Sequence, residues 1–140
     1  MVVRGKIGRK GETITSEGVL YRLERDWSPS GDPVTCRILW DTGSPISLLS
    51  DAVAKKIGTA RTMGYPIMGI SGAVQTQLCS AMLAIPADDG RQVWERKDVF
   101  HTFPAEQMPD IDVIIGLDII LDGRLVIEAL DGIPAMTFTI

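Results

Sequence analysis

The sequence predicts a mostly β protein, a single domain with one or two short helices. Three features carry that prediction. Apolar residues fall in short runs of strand-forming types, cut by turn signals at residues 28–33, at Asp88-Asp89-Gly90 and at Asp131-Gly132. Eight prolines and fourteen glycines in 140 residues are more than a helical bundle tolerates. Only one stretch, residues 50–58, carries a full set of helix start and stop signals.

Residues 1–18 are mixed. Gly5, Gly8 and Gly11 punctuate a basic stretch that reads as a loose N-terminal arm or an outer strand. Residues 19–25 alternate in part and read as a strand. Ser28-Pro29-Ser30-Gly31-Asp32-Pro33 is a turn cluster, and residues 34–40 return as a strand into Asp41. Beyond Asp41-Thr42-Gly43-Ser44, residues 46–49 form a short strand. The helix follows. Ser50 suits its N-cap, Asp51 its positive end, Lys55 and Lys56 its negative end, and Gly58 its stop. Val53 and Ile57, four apart, give it an apolar edge.

Residues 65–86 form a long hairpin whose tip is Gly69-Ile70-Ser71-Gly72. Two glycines around the tip fit a plain β-hairpin, and they equally fit a hinged lid whose backbone bonds an extended peptide. The tip is not a G-x-S-x-G nucleophile elbow, because Ala73 fills the last glycine position. After Asp88-Asp89-Gly90 the chain returns through Val93-Trp94 to Val99-Phe100, and His101 reads as a structural residue near a strand end. Asp112-Val113-Ile114-Ile115-Gly116 is a continuous apolar run of the kind found in a buried strand. Residues 117–121 make one helical turn, and residues 123–127 and 135–140 pair across Asp131-Gly132 as a terminal hairpin.

Composition excludes several function classes. The apolar fraction of 45% with 23% charged residues is ordinary for a globular domain. A net charge of −4 argues against nucleic-acid binding. No run approaches a membrane span, and no apolar core follows Arg4, Lys6, Arg9 and Lys10 as a signal peptide requires. Cys36 and Cys79 lack zinc-site spacing and read as buried free thiols, which points to a reducing cytoplasm. With a single histidine, neither a metal nor any other cofactor is expected.

The chemistry-bearing stretch is the strand ending Ile38-Leu39-Trp40-Asp41-Thr42-Gly43-Ser44. It delivers a carboxylate, two hydroxyls and a glycine to one tight turn. Taken alone, the tripeptide fits an ordinary Asx-type turn. Three motifs stand in order, however: Asp-Thr-Gly, the glycine-bracketed hairpin, and Ile114-Ile115-Gly116. That order and spacing resemble the retroviral-type aspartic proteases (retropepsins) and more closely their bacterial relatives, over residues 19–140. The resemblance implies a small closed β-barrel-like lobe of the acid protease fold with a flap hairpin. It implies Asp41 as catalytic acid and base, with Thr42 locking the two catalytic loops together, Gly43 lying against substrate and Ser44 completing the loop. Met68, Gly69, Ile70, Ser71 and Gly72 would form the flap, and Ile46, Ile70 and Ile115 would line apolar substrate pockets. A hydroxyl donated by Ser44 to the carboxylate would favour its charged form. Two departures concern the dimer base: Pro45 and Ile46 stand where the viral enzymes often carry acids, and Leu117 stands where an arginine often follows.

This mechanism needs two carboxylates around one water, and the chain holds one Asp-Thr-Gly. The expectation is therefore an aspartic endopeptidase that acts as a homodimer on peptide or protein substrates. The alternative is a catalytically silent, dimeric peptide-binding or scaffold module of the same fold.

Overall fold

Alternating apolar residues turn one face of a long antiparallel hairpin inward. Its strands are β2 (Ile14–Leu23) and β3 (Pro29–Trp40), and Leu20, Leu23, Cys36, Ile38 and Trp40 are buried. The computed structural model describes residues 1–7, 13–69 and 72–140. The remaining strands are β1 (Val2–Ile7), β4 (Leu48–Ser50), β5 (Arg61–Gly69), β6 (Gly72–Pro86), β7 (Val93–Phe103), β8 (Val113–Ile115), β9 (Arg124–Leu130) and β10 (Ile133–Thr139). Two short helices, α1 (Asp51–Ile57) and α2 (Leu117–Ile120), join them, and a 3-10 turn spans Ala105–Gln107.

Hydrogen-bonded neighbours run β5-β6-β7-β4-β8-β3-β2-β1-β10-β9, and β6 also pairs with β2. That extra pairing, Val19 to Ala84 through Arg22 to Ala81, closes β2, β3, β8, β4, β7 and β6 into a ring. Inside it pack Leu20, Ile38, Leu83, Ile85, Phe100, Val113 and Ile115. Burying each such side chain contributes about 1.5–3 kcal/mol. Trp40 turns into this core, with its ring centroid 4.9 Å from that of Phe138. Its indole N–H donates to Ser16 Oγ at 2.9 Å. A smaller cluster of Leu39, Phe103, Ile111 and Ile114 packs on Leu48 and Met108.

The helix signals are realised at the predicted positions. Ser50 Oγ accepts from Val53 N at 3.1 Å, and Gly58, with φ of 71°, donates its N–H to Lys55 O. The 28–33 turn is a correction. The reversal lies at residues 24–28, where Trp27 N donates to Glu24 O and Ser28 N to Asp26 Oδ1. The proline- and glycine-rich cluster belongs to β3, and the register slips between Leu20 and Arg22 opposite it. Cys36 and Cys79 are buried free thiols as expected; burial, with Asp112 adding to it, pushes Cys36 up to about 12. No helix among the described residues is long and apolar enough to cross a membrane.

Candidate active site

Asp41 stands at the open end of β3. Its N–H donates to Ile115 O at 2.9 Å, extending the parallel pairing of Trp40 with Ile115 by one bond. The chain then turns on itself. Gly43 N donates to Asp41 Oδ1 at 2.9 Å and Ser44 N to Asp41 O at 3.2 Å. This is the Asx-type turn the tripeptide predicts, and the same bond aims the carboxylate. Asp41 is half-buried, and Thr42 and Gly43 are exposed.

The loop is seated on the segment that follows β8. Leu117 N donates to Ser44 O at 2.8 Å, and Gly116 N to Ser47 Oγ at 2.9 Å. Ser47 in turn gives its hydroxyl to Asp118 Oδ1 at 2.6 Å and its N–H to Oδ2 at 3.0 Å. Gly116 has to be glycine. A Cβ there would lie 2.6 Å from Ile46 C and 2.7 Å from Ser44 O, both of them backbone. The loop thus lies directly on Ile115-Gly116-Leu117, held by five hydrogen bonds between residues 41–47 and residues 115–118.

Two expectations about this loop are corrected. The Ser44 hydroxyl donates to Ile46 O at 2.7 Å rather than to the Asp41 carboxylate. Ser44 therefore stiffens the loop backbone instead of favouring the charged acid. Ile115 does not line a pocket: it is fully buried in the main core. Its neighbour Ile114, on the opposite face of the strand, joins the smaller cluster with Leu48. Ile46 is half-buried beside the loop.

The long hairpin forms as predicted, with Gly69 opposite Gly72. Ile70 and Ser71, the expected tip, lie outside the described residues. Met68 is 78% exposed. Below the tip, Ile67 and Val74 share an apolar cavity of about 130 Å³ with Leu48, Thr76, Thr102 and Phe103. The hairpin is thereby brought against the strand that follows the Asp41 loop. His101 is structural: its Nδ1 lies 2.8 Å from Thr76 Oγ1 within the β6–β7 pairing. Asp112 starts its strand by accepting from Arg37 N at 2.9 Å. Asp118 lies in the first turn of α2, and its clamp on Ser47 had no signal in the sequence, because the partners are 71 residues apart.

No family model matches the chain, and no curated protein sequence does. Solved structures do. EIAV protease complexed with the inhibitor HBY-793 is 20% identical, with a TM-score of 0.54 over 82% of this chain and 91% of that one. A retropepsin-like aspartic protease from Rickettsia conorii is 12% identical, with a TM-score of 0.59 over 99% of this chain and 91% of that one. Both likenesses span most of each molecule, and the fold of this chain is that of the retropepsin-like aspartic proteases.

Proposed function

We propose that the protein is an aspartic endopeptidase that works as a homodimer. The observation carrying this is the Asp41 loop: the chain's one Asp-Thr-Gly, its carboxylate aimed by Gly43 N–H, open to solvent and locked onto Gly116. One carboxylate is half of what the chemistry needs. A twofold axis beside the loop supplies the other from a second copy.

Two acids at close range cannot both stay ionised, so the pair shares a proton and titrates as a unit. The ionised member takes a proton from the water between them as that water adds to the scissile carbonyl carbon, and its twin donates to the carbonyl oxygen. The carbon–nitrogen bond of the tetrahedral intermediate then breaks, the leaving nitrogen taking the proton drawn from the water and a hydroxyl returning the other. Thr42 bridges the two loops, and Gly43 leaves room for the substrate backbone. The substrate lies extended beneath the β5–β6 hairpin, and Met68, Gly69, Ile70, Ser71 and Gly72 cover it as a flap through strand-like backbone pairing. Ile46 and the cavity beside Leu48 receive apolar side chains.

The alternative is a silent peptide-binding dimer of the same fold. A peptide-library digest run beside sedimentation of the wild type and Asp41→Asn separates the two. The protease reading expects cleavage that a pepstatin-like inhibitor blocks, and a dimeric but inactive Asp41→Asn. It also expects activity to favour mildly acidic over alkaline conditions, since one carboxyl must hold a proton. Cleavage undiminished in Asp41→Asn would refute it, and binding without cleavage would favour the scaffold.

A further inference from the structure

The β2–β3 hairpin carries on one face a pair of opposite charges that do not meet. Glu17 and Arg37 are register partners, so their side chains leave the sheet on the same face, about 5 Å apart at the backbone. Charges so placed are within reach of a bridge, yet no ion pair joins them. Among the described residues neither has another charged partner. The Arg37 backbone is pinned: its N–H donates to Asp112 Oδ2 and its carbonyl accepts from Asp112 N, each at 2.9 Å. Asp112 thus holds the strand and leaves the guanidinium alone.

A cavity of about 420 Å³ opens at this pair, walled also by Arg4 and Ser16, with Ile85 and Pro86 as its apolar part. That volume suits a small ligand. Arg4 is already matched by Asp88 at 2.7 Å, so Arg37 and Glu17 are the charges left for a ligand. The Ser16 hydroxyl accepts from the Trp40 indole and keeps its own hydrogen to donate. None of the lining residues belongs to residues 41–48 or 65–76. Arg37 precedes Asp41 by about 13 Å of extended strand.

We infer that this cavity binds short peptides by their free ends, the terminal carboxylate on Arg37 and the terminal ammonium on Glu17. A side chain of the peptide rests on Ile85 and Pro86. A simple anion would be repelled by Glu17, and a simple cation would face Arg37. A ligand of both signs satisfies both groups through charge-assisted hydrogen bonds. A free amino acid also carries both signs, but it fills less of the cavity and brings one side chain fewer to the apolar part. Peptides with both ends free are what a peptidase releases, yet the site stands apart from Asp41 and does not depend on cleavage there.

The probe is leucyl-leucine, titrated calorimetrically into the Asp41→Asn chain so that no cleavage intervenes. Its N-acetylated and C-amidated forms and free leucine are titrated beside it. The free dipeptide is expected to bind saturably, and blocking either end to weaken it about tenfold. Arg37→Gln, added to that chain, should bind the dipeptide and its amide alike. Glu17→Gln should bind the dipeptide and its acetylated form alike. Both side chains are exposed, so neither substitution reaches the core. Each variant loses discrimination at its own end only, a pattern that general unfolding does not give. No saturable binding below about 10 mM would overturn the inference, as would binding that both variants leave unchanged. Free leucine binding as tightly as the dipeptide would overturn the peptide class. None of these outcomes touches the protease reading, which is judged by cleavage in the wild type.

Discussion

Gly116→Ala tests how firmly the Asp41 loop is held. The added methyl would lie 2.6 Å from Ile46 C and 2.7 Å from Ser44 O. Comfortable carbon contacts begin at about 3.5 Å, so loop and strand must separate by about 0.9 Å. Neither obstacle is a side chain that can rotate aside. The same displacement stretches the bonds from Gly116 N to Ser47 Oγ and from Leu117 N to Ser44 O. Overpacking of this kind costs about 2 kcal/mol, which in a domain of this size lowers Tm by about 8 °C. If Asp41 is catalytic as proposed, a shift near 1 Å in its carboxylate costs about a hundredfold in rate, so kcat should fall by that order while KM moves less. Gly43→Ala is the contrast for stability alone, because its methyl would meet only the Asp41 Oδ1 atom, at 3.2 Å. Thermal unfolding followed by circular dichroism, with peptide-cleavage kinetics on the same samples, reads both quantities. Wild-type Tm and kcat in Gly116→Ala would refute the reasoning. A lowered Tm with kcat intact would keep the packing argument and discard the positional one.

Asp118→Ala leaves the Ser47 hydroxyl and N–H without their acceptor and should cost about 1–3 kcal/mol; a double-mutant cycle with Ser47→Ala should show coupling of about 1 kcal/mol in urea unfolding, and additivity would refute the clamp. Cys36 is pushed from 9.0 up to about 12, mainly by burial. The folded chain therefore keeps a proton that the unfolded chain releases. The resulting stability is complete below about pH 9 and is lost as pH rises toward 12, at about 1.4 kcal/mol per unit within that window. Urea midpoints of wild type and Cys36→Ala between pH 8 and 10.5 should show the steeper decline in the wild type, and parallel curves would refute it.

Signals confined to a few neighbouring residues were legible. Ser50, Asp51, Lys55, Lys56 and Gly58 spell out α1 because each cap bonds within one turn of itself. Asp131 and Gly132, with φ of 51° and 77°, turn the terminal hairpin as their types predict. The reversal before β3 was misplaced for a related reason. Asp26 closes it through bonds to Ser28 N and Oγ, while Trp27 takes a φ of 64° that few residues of its size adopt. The more conspicuous 28–33 cluster distracts from it. Gly31, with φ of 75°, serves a bulge inside β3 and not a turn.

The candidate site divides along the same line. The Asp41-Thr42-Gly43 turn is written in three adjacent residues, and it was readable. Which isoleucine faces the core was not, because a continuous apolar run has no period to reveal it. Its parity is set by partners: Trp40 opposite Ile115 and Leu39 opposite Ile114, more than seventy positions away in sequence. Ser47 and Asp118 are likewise anonymous until the fold brings them to 2.6 Å. Pro45, Ile46 and Leu117, which lack the ion pair expected at the dimer base, also supply no charged support for the loop itself. Asp118 supplies it from the following residue, within one chain and through two charge-assisted hydrogen bonds. The loop's shape is therefore set within one chain, and in the proposed dimer a second copy would add only the second carboxylate.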